Sequence, residues 1–476
     1  MDLHLEVGAT RRAAAVETAL RTAIRDGRLT AGTRLPPSRS LAADLGIARN
    51  SIAEVYARLV AEGWLEARVG SGTWVGAGGW VSRGGGESSE LGDPPAAASA
   101  RAALLGSAGY SIDFRGGLPD ATGFPRAAWA SATRRALSQA SAGSFGYGDP
   151  AGHAALRSTL AEYLARARGV WAEPDRIVVT HGFGELLSVV CRALAAAGAS
   201  RVAVEGYGHE SHRRIITAAG LEVVPVPVDG GGADVSALDG LVVDAVLLTP
   251  SHQFPTGVPL TAARRVDVVR WAERTGGVVI EDDYDGEFRF DRRNIGALQA
   301  LAPEHVVYAG TASKSLAPAV GLAWGVVPSA LRAGVIEQRL LLGASVDALA
   351  QLSLAAFIEA GHYDRNVRSL RTLYRERRER LEDVIGHALP GSVVSGMAAG
   401  LHCVLELPPG IDERRVEGEA ASRGLRLEGL SRFAVDGASD GRGPAVVLGF
   451  GAPAPHRYDD ALSIVVQAVL AATDAR

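Results

Sequence analysis

A single lysine stands in this chain of 476 residues: Lys314, in the stretch Tyr308-Ala-Gly-Thr-Ala-Ser-Lys-Ser-Leu-Ala-Pro318. Lys and Arg together number 49, so arginine serves at all the other positions of that class. What a guanidinium lacks is a primary amine that can give up its proton. A desolvated lysine can do so, attack a carbonyl and hold an aldehyde as a Schiff base. Whether Lys314 is that group or an ordinary surface lysine depends on what surrounds it.

Its surroundings are strand ends. Ile177–Thr180, Arg201–Glu205, Val223–Val228, Ala245–Thr249, Val278–Glu281, Val306–Ala309 and Ala323–Val327 are short, apolar, β-branched runs separated by helical stretches. They predict a largely parallel sheet covered on both faces. In such sheets ligands bind beyond the carboxyl ends of the strands. Those ends carry the polar residues: Glu281-Asp-Asp-Tyr-Asp285, Pro250-Ser-His-Gln-Phe-Pro-Thr-Gly257 and Gly310-Thr-Ala-Ser-Lys314. A carboxylate, a phenol, hydroxyls and the lone amine are thus delivered to one edge. A carboxylate can pair with a protonated pyridine nitrogen, and a phenol can bond a phenolate oxygen. Gly182-Phe183-Gly184 opens a helix, and helix N-termini hold phosphates. The set suits pyridoxal 5′-phosphate (PLP).

The first 75 residues are organised differently. Arg11–Arg25 reads as an amphipathic helix with Val16, Leu20, Ala23 and Ile24 on one side. Ser38 is expected to cap a second helix that Gly46 ends, and a third runs from about Ala48 to Glu62. Two short helices joined at a glycine form a helix-turn-helix, whose second member enters the DNA major groove. It would present Arg49, Asn50 and Ser51 to phosphates and base edges. Trp64–Val75 alternates like a hairpin with a Gly-rich tip, a β-wing carrying Arg68. Residues 1–80 hold ten Arg against eight Asp and Glu, a weak excess, so pattern argues more strongly than charge here.

Two resemblances sharpen these readings. PPSRSLAADLGIARNSIAEVYARLVAEGWLEARVGSGTWV resembles the winged helix of GntR-type bacterial repressors. It implies that Ser38, Arg39, Arg49, Asn50, Ser51, Arg68, Gly70, Ser71, Gly72 and Thr73 face a double-stranded DNA operator. DFRGGLPDATGFP, YGDPAGHAALR, TPSHQFPTG, EDDYDGEFRF and YAGTASKSLAP, in that order, resemble a fold-type I aminotransferase. The whole chain resembles the MocR/GabR family, in which the two are fused. By that resemblance Lys314 holds PLP as a Schiff base, Asp282 pairs with the pyridine nitrogen and Tyr284 bonds the ring hydroxyl. Tyr207 stacks on the ring, Thr311, Ser313, Gly182, Phe183 and Gly184 hold the phosphate, and Tyr147 reaches it from a partner subunit. The expected fold is multi-domain: a winged helix over 1–76, a flexible linker over 77–109, and an α/β aminotransferase-like domain with a mostly parallel sheet over 110–476. Its large subdomain spans about 150–345. A homodimer that regulates transcription in answer to a small-molecule effector, PLP itself or an amino-acid-like compound, is implied.

Three departures from the family pattern argue against rapid turnover of free amino acids. Seven residues past the lysine, where the family carries a phosphate-clamping Arg, stands Gly321. The stretch Pro444-Ala-Val-Val-Leu-Gly-Phe450 lacks the Arg that anchors a substrate carboxylate. The phosphate turn reads Gly182-Phe-Gly-Glu185, which sets an acid near a phosphate. His209, His252 and His402 show no metal-ligand spacing and are expected to be satisfied structural or pocket histidines, and no metal is expected. Net charge of −4, two unpaired-looking cysteines, Cys191 and Cys403, and the lack of a long apolar run predict a cytoplasmic protein without membrane spans.

Overall fold

The computed structural model describes residues 12–68, 71–77, 110–290, 295–436 and 441–474. The chain divides into two compact units, 1–106 and 107–476. Most of the expected linker, and Gly70 of the expected wing tip, lie outside the described residues.

In the first unit α1 (Arg12–Arg25), α2 (Ser38–Leu45) and α3 (Arg49–Ala61) surround a core of Val16, Leu20, Ile24, Ile52, Val55 and Leu59, each at most 1% exposed. Burying each such side chain contributes about 1.5–3 kcal/mol. Gly46 closes α2 in the left-handed region (φ 64°), where a side chain would be strained, and its N–H bonds the Ala42 and Ala43 carbonyls. Ser38 is not the cap: Pro37 holds that position and Ser38 is the first helical residue, with no side-chain capping bond. The wing has one strand more than expected. β1 (Arg34–Leu35) joins β2 (Leu65–Arg68) and β3 (Gly72–Val75) in an antiparallel sheet of order β1-β3-β2.

The second unit is built on a seven-stranded sheet. Its strands are β4 (Ile177–Thr180), β5 (Arg201–Glu205), β6 (Glu222–Val226), β7 (Ala245–Leu248), β8 (Val278–Asp282), β9 (Val306–Thr311) and β10 (Ala323–Val326), in the order β4-β10-β9-β8-β7-β5-β6. Only β10 runs antiparallel to its neighbours. Val178, Val202, Val246, Val279 and Val307 are fully buried, as a sheet covered on both faces demands. A smaller antiparallel sheet follows: β11 (Val393–Ser395), β12 (Cys403–Glu406), β13 (Glu428–Gly429) and β14 (Ala445–Leu448), in the order β11-β12-β14-β13. No helix among the described residues is long and apolar enough to cross a membrane.

Four carboxylates crowd the end of β8, and three have partners. Glu281 accepts the backbone N–H groups of Leu298 (2.7 Å) and Gln299 (2.9 Å). Asp283 accepts from Arg168 Nε (2.7 Å) and Nη2 (3.0 Å), Ser251 Oγ (2.7 Å) and Tyr308 Oη (2.9 Å). Burial alone would raise the Asp283 pKa, but Arg168 and these bonds outweigh it and hold it below the usual range. Asp285 pairs with His252 Nδ1 (2.8 Å). Removing one member of a buried pair strands the other charge, at a cost of about 3–5 kcal/mol. Asp283→Ala is therefore expected to destabilise the second unit by about that amount, read from urea unfolding; a loss within about 0.5 kcal/mol, the scale of a surface substitution, would remove this network from its supporting role.

Candidate functional site

Beyond the carboxyl ends of β5, β7, β8 and β9 opens a cavity of about 160 Å³. Lys314, Asp282, Tyr284, Thr311, Ser313, Tyr207 and Phe183, all singled out from the sequence, line it together. Sequence reasoning did not assign Gly117, Glu205, Thr249, Phe254, His212 and Arg213, which line it too. Glu205 and Thr249 sit at the ends of β5 and β7, so the strand-end rule that found Asp282 could have found them.

Alternation along β8 turns Asp282 to the opposite face from Glu281 and Asp283. The residue is 7% exposed, and its carboxylate makes no side-chain hydrogen bond among the described residues. Burial pushes its pKa well up; Lys314 pulls it down, while Asp283, Asp285 and Glu205 add to the rise. A cation brought to it, such as a protonated pyridine nitrogen, would compensate that cost. Burial lowers the Lys314 pKa, with Asp282 and Asp285 partly opposing. The amine is thereby moved toward the unprotonated, nucleophilic form.

Tyr284 Oη donates to the His252 carbonyl (3.1 Å). Because Asp285 accepts a proton from His252 Nδ1, that nitrogen is the protonated one and Tyr284 cannot donate to it. Among the described residues the remaining nitrogen, Nε2, is buried without a hydrogen-bond partner, which corrects the expectation of a satisfied histidine at this position. The His252 and His402 rings lie 4.8 Å apart. His252, Asp285 and His402 bring ligand-type atoms within 4.8 Å of one another, but the Asp285–His252 bond already commits two of them.

At the other end, Thr311 Oγ1 donates to Ser313 Oγ (3.0 Å) and accepts from the Ser313 N–H (3.1 Å). Gly182 is the N-cap of α4 (Phe183–Ala196), so free amides open the helix here; Phe183 faces the cavity, and Gly182 and Gly184 stand beside it. Glu185 does not point at this cradle. Its Oε2 accepts the His181 N–H (2.8 Å) and its Oε1 lies 3.3 Å from Arg339 Nη1, so the acid is drawn away. Gly321 has φ 62°, and a Cβ there would meet only the His181 carbonyl, at 3.9 Å. His209, just before α5 (Glu210–Ala218), stacks on Phe254 with ring centroids 4.0 Å apart, making with Tyr207 an aromatic wall. Tyr147 is fully exposed and borders a separate surface hollow, so within one chain it does not reach the cavity.

On the winged helix, Arg39, Arg49 and Asn50 are exposed and Ser51 half-buried at the start of α2 and α3. The Arg34 and Arg68 guanidinium groups lie 5.6 and 5.2 Å from the Trp74 ring centroid, and Arg34 also donates to the Ser71 carbonyl (2.8 Å). Arg34, on the third wing strand, went unnoticed in the sequence. Ser71 and Gly72 are exposed and Thr73 half-buried on the same hairpin.

A sheet of this order, with an amine, a carboxylate, a phenol and a helix N-terminus around one cavity, defines a PLP-dependent aminotransferase-like unit, and the unit ahead of it is a winged helix. Residues 116–430 match the family Aminotransferase class I and II, and residues 12–75 match the family Bacterial regulatory proteins, gntR family. The chain belongs to the MocR-type transcriptional regulators, which join these two parts. It is 34% identical over 437 residues to the HTH-type pyridoxine biosynthesis transcriptional regulator PdxR of Corynebacterium glutamicum, covering 91% of this chain and 90% of that protein. It is 30% identical over 420 residues to the probable rhizopine catabolism regulatory protein MocR of Rhizobium meliloti, covering 87% and 85%. The fold matches that of Pyrococcus horikoshii kynurenine aminotransferase (TM-score 0.70, 21% identity, 79% of this chain and 95% of that one).

The donor set fits PLP: Lys314 for its aldehyde, Asp282 for its ring nitrogen, Thr311, Ser313 and the α4 amides for its phosphate. Gly321 has no side chain to add a charge-assisted bond to a phosphate there. Gly321→Arg is expected to tighten PLP binding roughly 10–150-fold, while Gly321→Ala carries only the left-handed strain of about 1–2 kcal/mol. Titration of apo-protein with PLP separates the two; equal affinity in wild type and Gly321→Arg would show that this position does not face the phosphate.

Proposed function

We propose that the protein is a cytoplasmic, homodimeric DNA-binding regulator whose aminotransferase-like unit takes up PLP, and that PLP occupancy is a signal to the winged helix. The observation that carries the proposal is the one cavity where the chain's only lysine faces an otherwise unpartnered buried carboxylate. PLP supplies an aldehyde able to capture amines. Around it Asp282 would stabilise a ring nitrogen's proton, Tyr284 would orient the ring hydroxyl, and the α4 amides with Thr311 and Ser313 would neutralise phosphate. The name of the C. glutamicum relative points to vitamin B6 synthesis as the regulated process. Val447 stands in the stretch where a substrate-carboxylate arginine would be expected, which supports sensing over turnover.

Dimerisation is supported by apolar side chains left open on this unit: Phe145, Leu340 and Leu341 are each more than half exposed. Tyr147 lies on the same loop as Phe145 and would enter a neighbour's site from there. On the DNA side, exposed Arg39, Arg49 and Asn50 sit at helix starts, where phosphates and base edges are met. A ligand acts on this assembly only as far as it binds one arrangement of the two units better than another.

Two measurements test the proposal. Lys314→Ala is expected to abolish the visible absorbance band that lysine-bound PLP gives the purified wild type; a wild type with no such band under excess PLP ends the reading. Arg49→Ala is expected to weaken binding to the protein's own upstream region by about 1–3 kcal/mol in gel shifts, with the band intact. Unchanged DNA binding would contradict the assignment of α3.

A further inference from the structure

On the winged helix two arginines gather on one aromatic ring, and strand alternation explains how. Leu35, Leu65 and Val75 of the wing are at most 3% exposed and line the face turned to the core. Arg34, Glu66, Arg68, Gly72 and Trp74 therefore share the outer face. The register sets Arg34 and Glu66 directly across from Trp74, one on each side, and Arg68 across from Gly72. The Arg34 and Arg68 guanidinium groups thus reach the Trp74 ring from the two strands that flank it. Gly72 leaves them room: its φ is 119°, and a Cβ there would stand 3.3 Å from Arg34 Nε and 3.6 Å from the Trp74 ring. Arg34 Nη2 is further tied to the Ser71 carbonyl (2.8 Å). Glu66 Oε2, 3.6 Å from Arg68 Nη2, offsets one of the two charges. Arg34 has no carboxylate partner among the described residues, and both arginines are exposed.

We infer that Arg34 and Arg68 form a clip for the phosphodiester backbone of DNA, and that Trp74 is the residue that positions them. Two like charges held near one ring repel each other, and a polyanion relieves that repulsion. The ring and the Ser71 carbonyl hold the planar donors in place before any partner arrives, so less freedom is lost on binding. Guanidinium groups laid along a ring on the wing's outer face offer their edges to phosphates, and phosphate contacts position a protein without reading sequence. The inference rests on the reading of this unit as DNA-binding and divides its labour. The wing supplies sequence-independent affinity, and the start of α3 supplies discrimination.

The test uses full-length protein and two duplexes of equal length, the protein's own upstream region and a scrambled version, in fluorescence anisotropy over a salt series. Arg34→Gln is expected to weaken binding to both duplexes by the same factor and to make the slope of log affinity against log salt shallower by about 1. Arg49→Ala, by contrast, is expected to cost more on the upstream region than on the scrambled one. Trp74→Leu is expected to weaken both duplexes severalfold in an otherwise wild-type chain and to add little once Arg34 and Arg68 are both Gln. The clip is overturned if Arg34→Gln leaves the salt slope unchanged, or if its loss is confined to the upstream region, which would make the contact one to base edges. The positioning role is overturned if Trp74→Leu costs as much in the double-Gln chain, which would mean that it acts through the fold. A wild type that binds neither duplex at low salt would instead bring down the DNA-binding reading beneath it.

Discussion

Four carboxylates within five residues at the end of β8 cannot share one buried strand end unless their charges are separated and compensated. The structure separates them by strand alternation and by partner. Glu281 and Asp283 turn to one side, where backbone amides and Arg168 receive them; Asp285 turns to His252. Asp282 alone is left facing the cavity, with Lys314 as its nearest compensation. The site's polarity is therefore a residue of this sorting. Exchange Asp283's partners for apolar groups and the repulsion would fall on Asp282, the carboxylate left facing the cavity.

The same sorting couples the amine to the acid. Burial favours the neutral forms of both Lys314 and Asp282, and each opposes that tendency in the other. A ligand that brings both an aldehyde and a basic ring nitrogen relieves both burdens at once. Neither group alone is suited to PLP, but the pair in one cavity is. Sheet topology makes the pair possible, because β8 and β9 are parallel neighbours whose ends open on the same side.

How far the sequence revealed this differed by element. All seven large-sheet strands were legible, since each is a short, mostly apolar run between helical stretches, and strand ends led directly to Asp282, Tyr284, Thr311 and Lys314. The third wing strand was not, because Arg34–Leu35 is two residues long and exists only through pairing with β3. Ser38 misled because Pro37 already supplies an extended residue before the helix. Glu185 looked dangerous to a phosphate because Arg339, which draws it aside, comes from a helix far along the chain. His252 looked fully satisfied because an unpaired ring nitrogen is a property of packing, not of spacing.

Arg213 belongs to the same class of hidden information, and it changes how the departures read. Gly321 and the arginine-free stretch around Val447 look, in the linear sequence, like a site losing its charge. In three dimensions one guanidinium faces the cavity from a helix where the family pattern did not direct attention.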